Sequence, residues 1–271
     1  MAQFAIRRQA GADFRMKKAL LCSFSGIYDS QIFCNGKNET QFEKWDASNI
    51  RGTNAYLDSE AKSEIQHAFR QQDFECVHFI DSGNYHYLSK LWTDRICENF
   101  DLIVFDHHSD MQEPAFEGML SCGSWIRAVL EENPFLKTLH LIGVKDELAA
   151  EIDSKYRPKI NLYLESECGN SNFEEKFLSR LREQPCDSPL VYISVDKDVL
   201  PEAEVKTNWD GGSLPFRKLL QLLSGIFESR TVIGVDICGE PSVQDKFQNL
   251  QNMESNDRIN GILTTVLREK F

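Results

Sequence analysis

Residues 102–110 read Leu-Ile-Val-Phe-Asp-His-His-Ser-Asp. The apolar run at 102–105 does not alternate with polar residues, the pattern of a strand covered on both faces in a parallel sheet packed between helices. It runs straight into two carboxylates and two imidazoles. If the chain stays extended, side chains alternate, so Asp106, His108 and Asp110 share one side while His107 and Ser109 take the other. Three oxygen and nitrogen donors converging at a strand end make a candidate divalent-metal site. Residues 190–198, Leu-Val-Tyr-Ile-Ser-Val-Asp-Lys-Asp, repeat the design with Asp196 and Asp198 on one face.

Working outward, short β-rich runs recur at Ala19–Ser25, Cys76–Ile80, Leu102–Asp106, Thr138–Gly143, Ile160–Glu165, Leu190–Asp196 and Thr231–Asp236. Amphipathic stretches lie between them, at Ser59–Gln72, Leu88–Asn99, Ser124–Glu132, Asp146–Lys155, Asn172–Glu183, Pro215–Glu228 and Asp257–Lys270. This alternation predicts an α/β fold with a mainly parallel sheet. With no repeat and no convincing linker, residues 18–271 are expected to form a single domain, and residues 1–17 an N-terminal extension; Met16 is an alternative start.

Bulk properties narrow the function. The 271 residues are 41% hydrophobic and 27% charged, which argues against a disordered or collagen-like chain. A net charge of −12 argues against nucleic acid as a partner and suits a cationic substrate. The eight cysteines include no CxxC pair, so a structural zinc framework is not expected. Several sit inside apolar runs, which points to free thiols and a cytoplasmic compartment. No run approaches the roughly 20 apolar residues of a membrane span. The apolar run after Arg7-Arg8 and Lys17-Lys18 is too short for a signal peptide, so no membrane partner is expected.

In open α/β sheets, ligands bind outside the carboxyl ends of the strands. The strand at 76–80 is followed by Asp81-Ser82-Gly83-Asn84-Tyr85-His86, so a third segment delivers an imidazole to the same edge. Each element has a plainer reading alone: a surface Asp–His cluster, a helix-capping loop at Asp196 and Asp198, a structural His86. Their joint placement favours metal. His86, Asp106, His108, Asp110, Asp196 and Asp198 carry four carboxylates, a charge that two divalent ions balance and one does not. Carboxylate-rich ligation with imidazole and no thiolate favours ions such as Mn²⁺, and a two-ion site suits hydrolysis at a trigonal carbon or at phosphorus. His107 has the wrong parity and is read as packing or as support behind the ligands; His67, His78 and His140 lie inside elements and are read as structural.

The segments Gly-Asn-Tyr-His86, Asp106-His-His108-Ser-Asp110 and Ser-Val-Asp196-Lys-Asp198 resemble, in order, the metal-binding motifs of the arginase/agmatinase (ureohydrolase) family. Trp209-Asp210-Gly211-Gly212-Ser213-Leu214 resembles its Gly-Gly-Leu turn, and Gly234-Val-Asp236-Ile237 its last-strand motif. The resemblance implies a three-layer α/β/α sandwich with two Mn²⁺ per subunit. One ion would sit on His86, Asp106, Asp110 and Asp196, the other on His108, Asp106, Asp196 and Asp198. It further implies attack of a bridging water on a guanidino or amidino carbon and release of urea, with Asp110 taking part in catalysis. The substrate would be a small cation, arginine, or an arginine-containing peptide, and a homo-oligomer fits the family.

This chain also departs from the family pattern. Cys122, in Ser121-Cys122-Gly123, stands where a proton-shuttling histidine is expected and becomes the candidate for that role. Gly239 stands at the position of a substrate-pairing glutamate, so its neighbour Glu240 is the candidate for that contact, with Trp209 a second substrate-binding candidate. Leu200-Pro201 replaces an Asp-Pro pair, and the loop at 111–118 lacks the polar run that holds a free amino acid. Two alternatives stand beside the ureohydrolase: a deacetylase-like metal amidohydrolase, and a catalytically inactive metal-binding protein of the same fold.

Overall fold

The computed structural model describes residues 18–36, 40–72, 76–116, 118–183, 190–241 and 250–270. The expected extension at 1–17 lies outside them, as does Cys186, one of the eight cysteines. The strands are β1 (Lys18–Ser23), β2 (Gln41–Asp46), β3 (Tyr56–Leu57), β4 (Val77–Ile80), β5 (Phe100–Phe105), β6 (Leu120–Ser121), β7 (Leu136–Val144), β8 (Ile160–Leu164), β9 (Leu190–Asp196) and β10 (Thr231–Cys238). The helices are α1 (Ile32–Asn35), α2 (Ser59–Phe69), α3 (Leu88–Thr93), α4 (Trp125–Glu132), α5 (Asp146–Ala150), α6 (Glu165–Cys168), α7 (Phe173–Glu183), α8 (Phe216–Ser229) and α9 (Leu250–Lys270). Eight strands form one sheet in the order β2-β1-β4-β10-β9-β5-β7-β8. Every pairing in it is parallel. β3 and β6 form a separate antiparallel pair.

The non-alternating strands do what their composition demands. On β5, Leu102 and Val104 enter one core while Ile103 and Phe105 enter the other; Leu20 and Cys22 part from Ala19 and Leu21 in the same way on β1. Phe177 and Leu181 of α7, Leu219 and Leu222 of α8, and Ile259 and Leu263 of α9 cover one face. Ile65 and Phe69 of α2, Leu91 and Trp92 of α3, and Ile126 and Val129 of α4 cover the other. The result is a three-layer α/β/α sandwich.

Element boundaries shifted where local pattern was weakest. The edge strand β2, Gln-Phe-Glu-Lys-Trp-Asp, escaped prediction because its charged, half-exposed residues read as a loop; such charges keep an edge from pairing further. Helix α9 begins seven residues before its predicted start at Asp257. The stretch predicted as helix at Asp146–Lys155 divides into α5 and a 3₁₀ segment at Ser154–Lys159 that contains Pro158, whose ring cannot continue an α-helix. Asp58 caps α2, its carboxylate accepting the Ala61 N–H at 2.8 Å. No helix among the described residues is long and apolar enough to cross a membrane.

Candidate metal centre

Four adjacent strands, β4, β10, β9 and β5, bring their carboxyl ends together. β4 leads through a 3₁₀ turn at Gly83–Tyr85 to His86, β5 ends one residue before Asp106, Asp196 is the last residue of β9, and Asp198 lies in the following turn. Alternation along an extended chain does not deliver the second motif. β5 stops at Phe105, and Asp110 is turned inward by a left-handed backbone with φ 47°. The loop is pinned to the start of α4: Asp110 accepts the Trp125 indole N–H at 2.6 Å through Oδ2 and the Ile126 N–H at 3.2 Å through its carbonyl.

All six predicted donors line one cavity of about 170 Å³. The His86 Nδ1 lies 3.2 Å from Asp106, 3.3 Å from Asp110 and 3.5 Å from Asp196. The His108 Nδ1 lies 2.9 Å from Asp198 and 3.6 Å from Asp106. Donors held about 2.1 Å from a shared ion stand roughly 3–3.5 Å apart, so the donor set fits a cation. Two candidate groups, His86–Asp106–Asp110 and Asp106–His108–Asp198, share Asp106. His107 points away, its backbone N–H held by Asp198 at 3.1 Å and its ring 3.5 Å from Asp210.

The electrostatics carry the same message. Burial alone would raise Asp106, but its contacts with His108 and His86 outweigh it and hold the carboxyl well below the usual range. Burial pushes Asp110 up to about 6, with the charge of Asp106 adding to it. Burial and neighbouring carboxylates raise Asp196 and Asp198 too. Burial works against a charged His108, yet contacts with Asp106 and Asp198 push it up to about 12. Crowded negative donors that retain protons are what a cation would relieve.

Side chains that the sequence reading passed over steady the donors. Ser194 Oγ lies 2.8 Å from His86 Nε2, and Asp210 lies 3.1 Å from His108 Nε2, so each imidazole turns its other nitrogen toward the carboxylates. Asp210 lies in the Trp209–Leu214 motif, where the sequence signals a turn and not a partner for an imidazole.

The remaining candidates part company. Cys122 lines the cavity, and burial, with Asp110 adding, pushes its thiol up to about 12. Trp209 also lines it, 43% exposed, its ring edge-on to His108 at 5.4 Å. Glu240 does not line it. It is 1% exposed and sealed behind the site, paired with the buried Lys197 and bonded to Gln31 at 2.6 Å and Asn260 at 2.7 Å. The expected contact between Glu240 and substrate is therefore absent from this arrangement, because an internal ammonium already occupies the carboxylate. Asp236 is likewise remote, buried against His78 at 2.8 Å and Tyr192 at 2.7 Å.

Comparison with known proteins agrees with this architecture. An uncharacterized protein of Thermotoga maritima is 30% identical over 252 residues, covering 93% of this chain and 90% of the relative. Among solved structures, formimidoylglutamase from Bacillus subtilis superposes with a TM-score of 0.67 at 17% identity, covering 98% of this chain and 96% of its own. Proclavaminate amidino hydrolase from Streptomyces clavuligerus gives 0.66 at 16%, covering 94% and 92%. Arginase from Bacillus caldovelox gives 0.64 at 16%, covering 92% and 97%. The sequence model of the Arginase family matches residues 54–246, and with the ordered donor motifs on one sheet edge this chain belongs to the arginase family.

Proposed function

We propose that the protein is a manganese-dependent hydrolase that cleaves a C–N bond of a small guanidino or amidino compound. The observation that carries this reading is the pair of donor groups sharing Asp106 on the floor of one cavity. In it, His86, Asp106, Asp110 and Asp196 would hold one ion, and His108, Asp106, Asp196 and Asp198 the other. Bound there, the ions supply a water acidic enough to act near neutral pH and a positive field for charge developing at the substrate carbon.

The chain's own residues do the rest. Asp106 belongs to both donor groups, so its carboxylate would link the two ions. Trp125 and the left-handed turn aim Asp110 at the cavity, where its carboxylate would accept a hydrogen bond from the attacking water. Cys122, held neutral beside it, offers an S–H donor to the departing nitrogen. Trp209 gives a planar cation a ring to rest on. In the balanced reaction on a protonated substrate, the oxygen of water bonds to the amidino carbon and becomes a carbonyl oxygen, the C–N bond breaks, and both of the water's protons leave with the departing nitrogen as an ammonium. Solved relatives are named for formimidoylglutamate, proclavaminate-type amidino and arginine substrates, which supports the reaction class.

Mn²⁺-loaded protein should release urea, ammonia or formamide from at least one of a panel of guanidino, amidino and formimino compounds, arginine peptides included. Asp106→Ala should lower that rate by about 100-fold or more, beyond the range for second-shell partners. Two bound ions with no product across the panel would sink the proposal. That outcome would favour the inactive metal-binding reading, to which the sealing of Glu240 lends support.

A further inference from the structure

His86 belongs to a third donor group, which no family motif in the sequence foreshadowed: His86, Asp196 and Cys238, with ligand atoms all within 4.8 Å of one another. Cys238 ends β10 and pairs in register with Asp196 at the end of β9, so the two side chains leave neighbouring strands on the same face. Its Sγ lies 3.0 Å from Asp196 Oδ2 and is buried, at 1% exposure. The next residue, Gly239, turns with φ 93°, and a Cβ there would come 2.6 Å from Asp196 Oδ1. The strand end is therefore laid directly against the ligand loop, and only glycine allows that approach.

We propose that Cys238 is a thiolate ligand to the ion held by His86, which makes the two metal positions chemically unequal. This rests on reading the site as a metal centre. The His86 position then combines nitrogen, oxygen and sulfur, and softer ions such as Zn²⁺ or Co²⁺ compete there with Mn²⁺. The His108 position has only nitrogen and oxygen donors and keeps a preference for harder ions. On binding, the Cys238 S–H proton passes to solvent as the sulfur–metal bond forms, with no change of oxidation state.

Cobalt loading of the full-length protein tests this, because a thiolate bound to Co²⁺ gives a near-ultraviolet sulfur-to-metal charge-transfer band that oxygen and nitrogen donors do not. The expected result is that band in the wild-type protein, lost in Cys238→Ser and kept in Cys122→Ser. Calorimetry should also show the Zn²⁺-to-Mn²⁺ affinity ratio falling roughly 10–100-fold in Cys238→Ser, at least the effect of losing an outer-shell partner. If Cys238→Ser misfolds, which circular dichroism would reveal, the wild-type and Cys122→Ser spectra together decide. Bound Co²⁺ without the band overturns the assignment while leaving the metal centre standing, and so does a band that survives Cys238→Ser or vanishes in Cys122→Ser. Failure to bind any Co²⁺, Zn²⁺ or Mn²⁺ would overturn both readings together.

Discussion

Asp110 shows how a single residue can combine strain with purpose. A non-glycine residue at φ 47° costs on the order of 1 kcal/mol or more, and it persists here because two bonds from the start of α4 hold it. Trp125→Phe keeps most of the buried ring but deletes the indole N–H that orients the carboxylate. Mn²⁺ affinity measured by calorimetry should fall roughly 10–100-fold, with little change in the circular dichroism spectrum. His140 makes a different residue-scale case. It lies buried on β7 between Tyr163 and Phe177, and burial drives its imidazole down to about 3. The unfolded chain binds a proton at His140 near pH 6.5 and the folded chain does not, so its contribution to stability is complete above 6.5 and is lost as pH falls toward 3. Urea unfolding at pH 7 and pH 5 should show His140→Phe losing about 1–2 kcal/mol less than wild type between the two.

At the scale of elements, the C-terminal helix reaches the site through one buried ammonium. Lys197 lies between two donors in sequence, yet its Nζ turns to the other side of the chain, where Asn256 at 2.7 Å and Asn260 at 3.0 Å on α9 accept from it beside Glu240. With every member bonded, this network locks α9, the end of β10 and the ligand turn into one unit. Lys197→Met leaves the Glu240 carboxylate buried without its partner and should cost about 3–5 kcal/mol in denaturant unfolding. Adding Glu240→Gln should recover part of that loss, because the uncompensated charge is then gone. A double variant no better than the single one would show that the ammonium acts through packing rather than charge.

For the whole molecule, an ion at the candidate metal centre would also be a strut, since four strands of one sheet converge there and the carboxylates that follow β5 and β9 repel one another. Ions that bind the folded chain and not the unfolded one add roughly 2.7 kcal/mol of stability at 100 times their dissociation constant. Thermal unfolding should therefore occur at a higher temperature with saturating Mn²⁺ than after treatment with a chelator. A melting temperature indifferent to the metal would mean that the site is stable empty.

The sequence by itself determined the α/β alternation and singled out six residues that line one cavity, because both are written locally. A strand buried on two faces must be apolar throughout, and carboxylates at its end stand out against that run. Strand parity pointed to Asp106, His108 and Asp110, which do line the cavity, by an incomplete route, since the strand stops at Phe105 and a turn completes the approach. Only the tertiary structure decided that Glu240 pairs with Lys197, that Trp125 aims Asp110 and that Cys238 lies against Asp196. The reason is physical: neighbours across a parallel sheet follow from strand order, and no local periodicity encodes that β10 sits between β4 and β9.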